Sequence, residues 1–171
     1  MKKKTQAVAF SGIISALCVV LLYLGSIIDV LDYSVSALCG ILVTLISVEF
    51  GNRTGIGVWI VSSILSLLLL PQKFSALLFI LFCGWYTFVK KIYETLPCAL
   101  SWVLKLITFN AVLSAIFFIT LKVLLIENVG IVTIIGTTAL SNFVFVIYDI
   151  LLTKLTFLYI VSWRKRLTFL K

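Results

Sequence analysis

Histidine is missing from the chain altogether, and with it the residue that most transition-metal and zinc sites depend on. The four cysteines, Cys18, Cys39, Cys83 and Cys98, show no CxxC spacing. Three of them lie within apolar runs, where a thiol behaves as a small hydrophobe. Neither a metal site nor a disulfide framework is expected. Charge is scarce too: Asp, Glu, Lys and Arg make up 12% of the 171 residues, about half the ~25% usual in soluble domains. The GxSxG nucleophile elbow and the Gly-rich phosphate loop are both lacking, so no hydrolase of that type and no ATP site is expected.

What fills the chain instead is apolar surface, 63% of the residues, with a mean hydropathy of +1.26. Charges confined to the gaps between long apolar runs mark a polytopic membrane protein. The expected fold is all-α, a single compact bundle of six transmembrane helices, and its first partner is the lipid bilayer. The spans are placed at 7–28, 34–50, 55–70, 74–89, 106–126 and 131–153, the last with a cytoplasmic extension. Runs two to four are short and must include flanking residues or thin the bilayer locally. Gly51 to Thr54 is read as the turn between the second and third spans. Tyr93 to Lys105 is read as an interfacial helix. The 22-residue run after Lys2–Lys4 is too long for a secretory h-region and is read as a retained first span.

A net charge of +8 could indicate nucleic acid, but the basic residues sit at the ends of apolar runs rather than on a soluble face. Lys and Arg mark cytoplasmic loops. With the N-terminus inside, Lys2–Lys4, Arg53, Lys90, Lys91, Arg164, Lys165, Arg166 and Lys171 all fall inside, and no nucleic-acid partner is expected. Asp29, Asp32, Lys73 and Glu127 then face outward, with Lys122 just below the outer surface. Both termini are expected in the cytoplasm and the protein in the plasma membrane.

Polar residues within spans carry the functional hints, because each is costly in lipid unless partnered or used. In the sixth span Thr138, Asn142, Asp149, Thr153 and Thr156 recur on one face, with Phe145 on the same stripe. Counted from Ile131, Asn142 lies ~16 Å down, near the midplane, and Asp149 ~27 Å down. The fifth span offers Lys105, Asn110 and Ser114, and an antiparallel fifth and sixth span would set Lys105 and Asn110 near the depth of Asp149. Two readings stay open. Lys105 or Lys154 pairs with Asp149 and the asparagines bond between helices, or Asn142 is the midplane group of a polar cavity. In the first span Ser11 with Ser15, and Gly12 with Ala16, form small-residue pairs suited to close helix approach, inside the protein or against a partner. Asp29 and Asp32 either bind a cation or a solute amine, or Asp32 caps the second helix. Tyr23, Tyr33 and Trp59 suit interfacial anchoring. Tyr148-Asp149 matches the YD pair of intramembrane aspartyl proteases, but the second aspartate of their GxGD motif is missing. No enzymatic activity and no cofactor is expected.

Residues 48–70, VEFGNRTGIGVWIVSSILSLLLL, resemble a recurrent stretch of the substrate-binding S components of energy-coupling-factor transporters, with Phe50, Gly51, Gly55 and Gly57 in matching places. That resemblance implies six spans and a first-helix docking face, here Gly12-Ile-Ile-Ser-Ala16 where the family carries alanine-xxx-alanine. It also implies capture of a small solute such as a vitamin from outside. A cavity between the fourth, fifth and sixth spans, under the first outer loop, would offer Tyr23, Asp29, Asp32, Lys122, Thr138 and Asn142 as candidate contacts. The implied partners are a transmembrane coupling subunit and cytoplasmic ATPases. Pro71 to Phe79, Gly84, Trp85, Tyr86, Lys90 and Glu94 are similar to uncharacterised small membrane proteins of Gram-positive bacteria. The alternative expectation is a non-transporting scaffold subunit of a cell-envelope complex, like the rod-shape-determining proteins that share the six-span plan. In such a protein the polar stripe would be fully paired.

Overall fold

Lipid offers no hydrogen bonds, so a backbone that crosses it must satisfy its own amides, and a run of apolar residues has helix as its open-ended solution. The computed structural model describes residues 2–28, 31–123 and 131–163, with side chains over 5–28, 31–119 and 135–161. Among these residues there is helix and no strand. The helices are α1 (Lys2–Ile27), α2 (Asp32–Phe50), α3 (Asn52–Leu69), α4 (Phe74–Leu78), α5 (Gly84–Tyr93), α6 (Cys98–Val123) and α7 (Ile131–Leu158). A π-helical turn, Phe79–Cys83, joins α4 to α5, and another, Tyr159–Trp163, follows α7. Among the described residues six stretches are long and apolar enough to cross a membrane: Thr5–Ile27, Asp32–Phe50, Asn52–Leu69, Phe74–Tyr93, Cys98–Ile119 and Ile135–Val161. Side chains such as Val8 and Leu68 are about three-quarters exposed, at 74% and 75%. Water would not tolerate so much open apolar surface, and lipid requires it. This is a multi-pass membrane protein.

Three boundaries differ from those expected. The turn expected over Gly51–Thr54 is a single residue: Gly51, at φ 95° and ψ 162°, takes the whole reversal between α2 and α3. That conformation is open essentially to glycine alone and costs other residues about 1–3 kcal/mol. The Gly51 carbonyl accepts the amides of Thr54 (3.1 Å) and Gly55 (3.2 Å), and Ser47 Oγ donates to Asn52 Oδ1 at 2.8 Å. The polar residues there therefore build the start of α3. Secondly, Lys90 and Lys91 do not stop the fourth span. Lysine is a good helix former, and α5 runs on to Tyr93 before Pro97 interrupts it. Thirdly, 98–105 is no separate interfacial helix but the opening turns of α6, whose Ser101 amide bonds to the Pro97 carbonyl at 2.9 Å.

By its contacts the chain divides into two units, one of residues up to Thr87 plus those from Leu151 onward, the other Phe88–Ile150. In the first, α1, α2 and α3 pack on one another around Cys18, Leu22, Val35, Cys39, Val43 and Val58. Small residues permit the approach. A Cβ on Gly25 would meet Val35 at 3.2–3.4 Å, and one on Gly84 would run into the Trp59 indole. Hydroxyls tie the helices across the gaps. Thr44 and Thr87 share a buried 2.6 Å hydrogen bond, and Ser36 donates to the Ser75 carbonyl at 3.0 Å. Tyr159 donates to Glu49 Oε2 at 3.3 Å, holding the turn after α7 to the end of α2. The second unit contains the end of α5, α6 and most of α7, and it holds the buried Lys90, Lys105 and Asp149, while the buried Asp32 lies in the first.

Candidate functional site

In the second unit α6 and α7 run antiparallel and meet through three polar or aromatic rungs. Spacing explains which residues take part: Asn142, Phe145 and Asp149 recur every three or four positions on α7 and share one face. Lys105, Phe109 and Asn110 answer them from α6. The register is visible in the numbers, since Lys105 meets Asp149, Phe109 meets Phe145, and Asn110 meets Asn142.

The first rung is ionic. Asp149 Oδ2 accepts Lys105 Nζ at 2.9 Å, while Oδ1 accepts Lys90 Nζ from α5 at 2.6 Å. Lys90 also donates to the Asp149 backbone carbonyl at 2.7 Å. All three side chains are only 4–5% exposed. Glu94, one turn beyond Lys90, brings Oε1 to 3.5 Å from Lys90 and 3.7 Å from Lys105, and at 44% exposure it forms the rim. Trp102 lies under the Lys105 ammonium, 5.2 Å from ring centroid to Nζ. Two ammoniums and two carboxylates make the cluster neutral, the condition for burying charge without a large desolvation penalty.

The second rung is the Phe109–Phe145 pair, stacked with centroids 4.5 Å apart and planes 7° from parallel. The third is a reciprocal amide pair. Asn110 Nδ2 donates to Asn142 Oδ1 at 2.9 Å, and Asn142 Nδ2 returns the bond to Asn110 Oδ1 at 3.0 Å. Each amide spends its other N–H on its own helix, Asn110 on the Leu106 carbonyl and Asn142 on that of Thr138, both at 2.9 Å. Both donors of each side chain are thereby used. Beside the rungs, Tyr93 and Thr108 share a 2.7 Å hydrogen bond between α5 and α6.

The structure thus joins Lys105 to Asp149 but sends Asn110 to Asn142, one to two turns from the depth of Asp149 where it was expected. Lys154, the other candidate partner of Asp149, is exposed on α7 and belongs to none of the ion pairs described. Lys90 was missed because a basic residue at the end of an apolar run reads as a solvated loop marker. The usable signal was the Lys90–Glu94 spacing of four, which suits a helix continuing past the lysines.

The remaining candidates are dispersed. Thr138 is half-buried and contributes its carbonyl to Asn142. Tyr23 is 44% exposed on α1. Asp32 is 4% exposed. It does not cap α2, because the N-cap position belongs to Leu31 and carries no side-chain cap. Asp29 and the Lys122 side chain lie outside the described residues. On α1 the small residues divide: Gly12 and Ala16 face outward, with nothing within 4 Å of a Cβ built on Gly12, whereas Ser15 is buried and Ser11 bonds the Ala7 carbonyl at 2.6 Å. All four cysteines are free, and among the described residues no three His, Cys, Asp or Glu side chains gather as a metal site.

Compared with family models, curated proteins and solved structures, the chain matches none.

Proposed function

We propose that this chain is a non-catalytic scaffold subunit of a cell-envelope complex, embedded in the plasma membrane with both termini in the cytoplasm. Asn142 carries the reading. A solute-binding protein needs a midplane polar group available to its ligand, and here both N–H donors of that amide are committed to Asn110 and Thr138. The polar stripe supports holding helices in one arrangement. Gly12 and Ala16, open on the outward face of α1, supply a surface on which a partner helix can approach closely.

A second reading, S component-like solute capture with a coupling subunit and cytoplasmic ATPases, is favoured by one observation. The Ser75 hydroxyl is fully buried and has no hydrogen-bond partner among the described residues, and the Ser75 carbonyl accepts from Ser36, four positions after Asp32 on α2. A small polar solute would satisfy it.

Affinity purification of the tagged chain in mild detergent separates the two. Scaffold function predicts recovery of cell-wall or division proteins. Recovery of ATPases with a coupling subunit, together with a stoichiometric bound solute, would replace it with the second reading.

A further inference from the structure

We propose that Lys90 and Lys105 form a binding site for a phosphate-bearing anion, in the first place the headgroup of an acidic phospholipid, and that Glu94 is its internal stand-in.

The two carboxylates of the cluster are held very differently. Asp149 uses separate oxygens for the two ammoniums, at 2.6 and 2.9 Å, and is buried. Glu94 offers one oxygen to both, at 3.5 and 3.7 Å, and is 44% exposed. Charge-assisted N–H···O bonds settle at about 2.7–2.9 Å, so Oε1 occupies a compromise point between two cations without closing on either. A phosphodiester carries one negative charge, as Glu94 does, and can point one non-bridging oxygen at each lysine. The exchange keeps the cluster neutral, which burial demands. Asp149 stays in place and continues to hold both lysines.

The surroundings favour a lipid over a free ion. The exposed edge of the cluster is Glu94, in the turn between α5 and α6 that separates the apolar stretches Phe74–Tyr93 and Cys98–Ile119. Exposed Lys91 stands beside it, and the apolar side chains Ile92, Leu100 and Val103 are 64%, 47% and 52% exposed on the flanking turns, facing where acyl chains would lie. Trp102, beneath Lys105, belongs to the type of residue that settles at headgroup depth.

The test uses full-length protein in nanodiscs of phosphatidylcholine containing phosphatidylglycerol, with retained lipid counted by native mass spectrometry. Glu94→Gln removes the competitor at the exposed edge and leaves both Asp149 ion pairs in place, and helical circular dichroism of the variant checks that it folds. It is expected to retain roughly two- to fivefold more phosphatidylglycerol than wild type, the range set by losing one exposed ion pair. Lys91→Gln should change retention less. A parallel arm titrates inorganic phosphate into discs of phosphatidylcholine alone and follows tryptophan emission, with Trp102→Phe identifying the local signal. A saturable, Trp102-dependent response that Glu94→Gln strengthens would support the same dibasic site with a soluble anion as its occupant. Equal phosphatidylglycerol retention by wild type and Glu94→Gln, with no phosphate response in either, would overturn the proposal.

Discussion

The two units solve the same problem by different means. Helices in lipid gain little from burying apolar surface against one another, because lipid tails are as apolar as leucine, so packing detail and polar bonds must hold them together. The first unit relies on close approach: Gly25 against Val35, Gly84 beneath Trp59, and short hydroxyl bonds such as Thr44–Thr87. The second relies on strong polar rungs, an ion cluster and an amide pair, with a stacked aromatic pair between them. The contrast suggests different sensitivities. A packing interface fails gradually as volume changes, whereas a buried charge cluster fails abruptly when its balance is lost.

The largest effect should come from Asp149→Ala, which leaves two buried ammoniums facing each other. Losing one side of a buried pair costs about 3–5 kcal/mol, and here one carboxylate serves two cations. Unfolding in detergent should register that loss, and Lys105→Met should cost less because Asp149 keeps Lys90. Equal losses would mean that Lys90 contributes nothing. In the first unit Gly84→Ala should cost about 1–3 kcal/mol through overpacking against Trp59. Combining it with Trp59→Leu should recover part of the loss, by the same unfolding measurement. Asn142→Leu, by stranding Asn110, should cost about 1–2 kcal/mol, near the upper end for interhelical hydrogen bonds in membranes. Smallest of all, Lys154→Gln should stay within about 0.5 kcal/mol of wild type. A larger loss would bring Lys154 into the ionic network and weaken the contrast between the units.

Much of the fold could be read without coordinates, for a physical reason. Lipid restricts the backbone to helix, so an apolar run of sufficient length declares both its structure and its approximate ends. The members of the rungs were legible too, because Asn142, Phe145 and Asp149 share a helical face and polar residues in a span demand explanation. Their pairing was legible only as one of two open readings, and its register was not. Whether Asn110 meets Asn142 or lies beside Asp149 depends on the axial register of α6 against α7, which packing sets and spacing does not reveal. Lys90 was hidden for a related reason, since a lysine at the end of a span has the same sequence appearance whether it faces water or reaches inward to a carboxylate. Gly51 shows the limit at the scale of one residue. Four residues, Gly51 to Thr54, read as the turn, yet Gly51 alone performs the reversal and Asn52 already opens α3.

The claim on which the rest depends is that the amides of Asn110 and Asn142 are spent on each other. A double-mutant cycle with Asn110→Leu and Asn142→Leu, read by unfolding in detergent, measures it directly. Each single substitution is predicted to destabilise the protein, while the pair together should lie close to wild type, because removing both halves of a hydrogen bond leaves neither group stranded. Strictly additive losses would show that the two side chains act independently, and would return Asn142 to the role of a group open to a ligand.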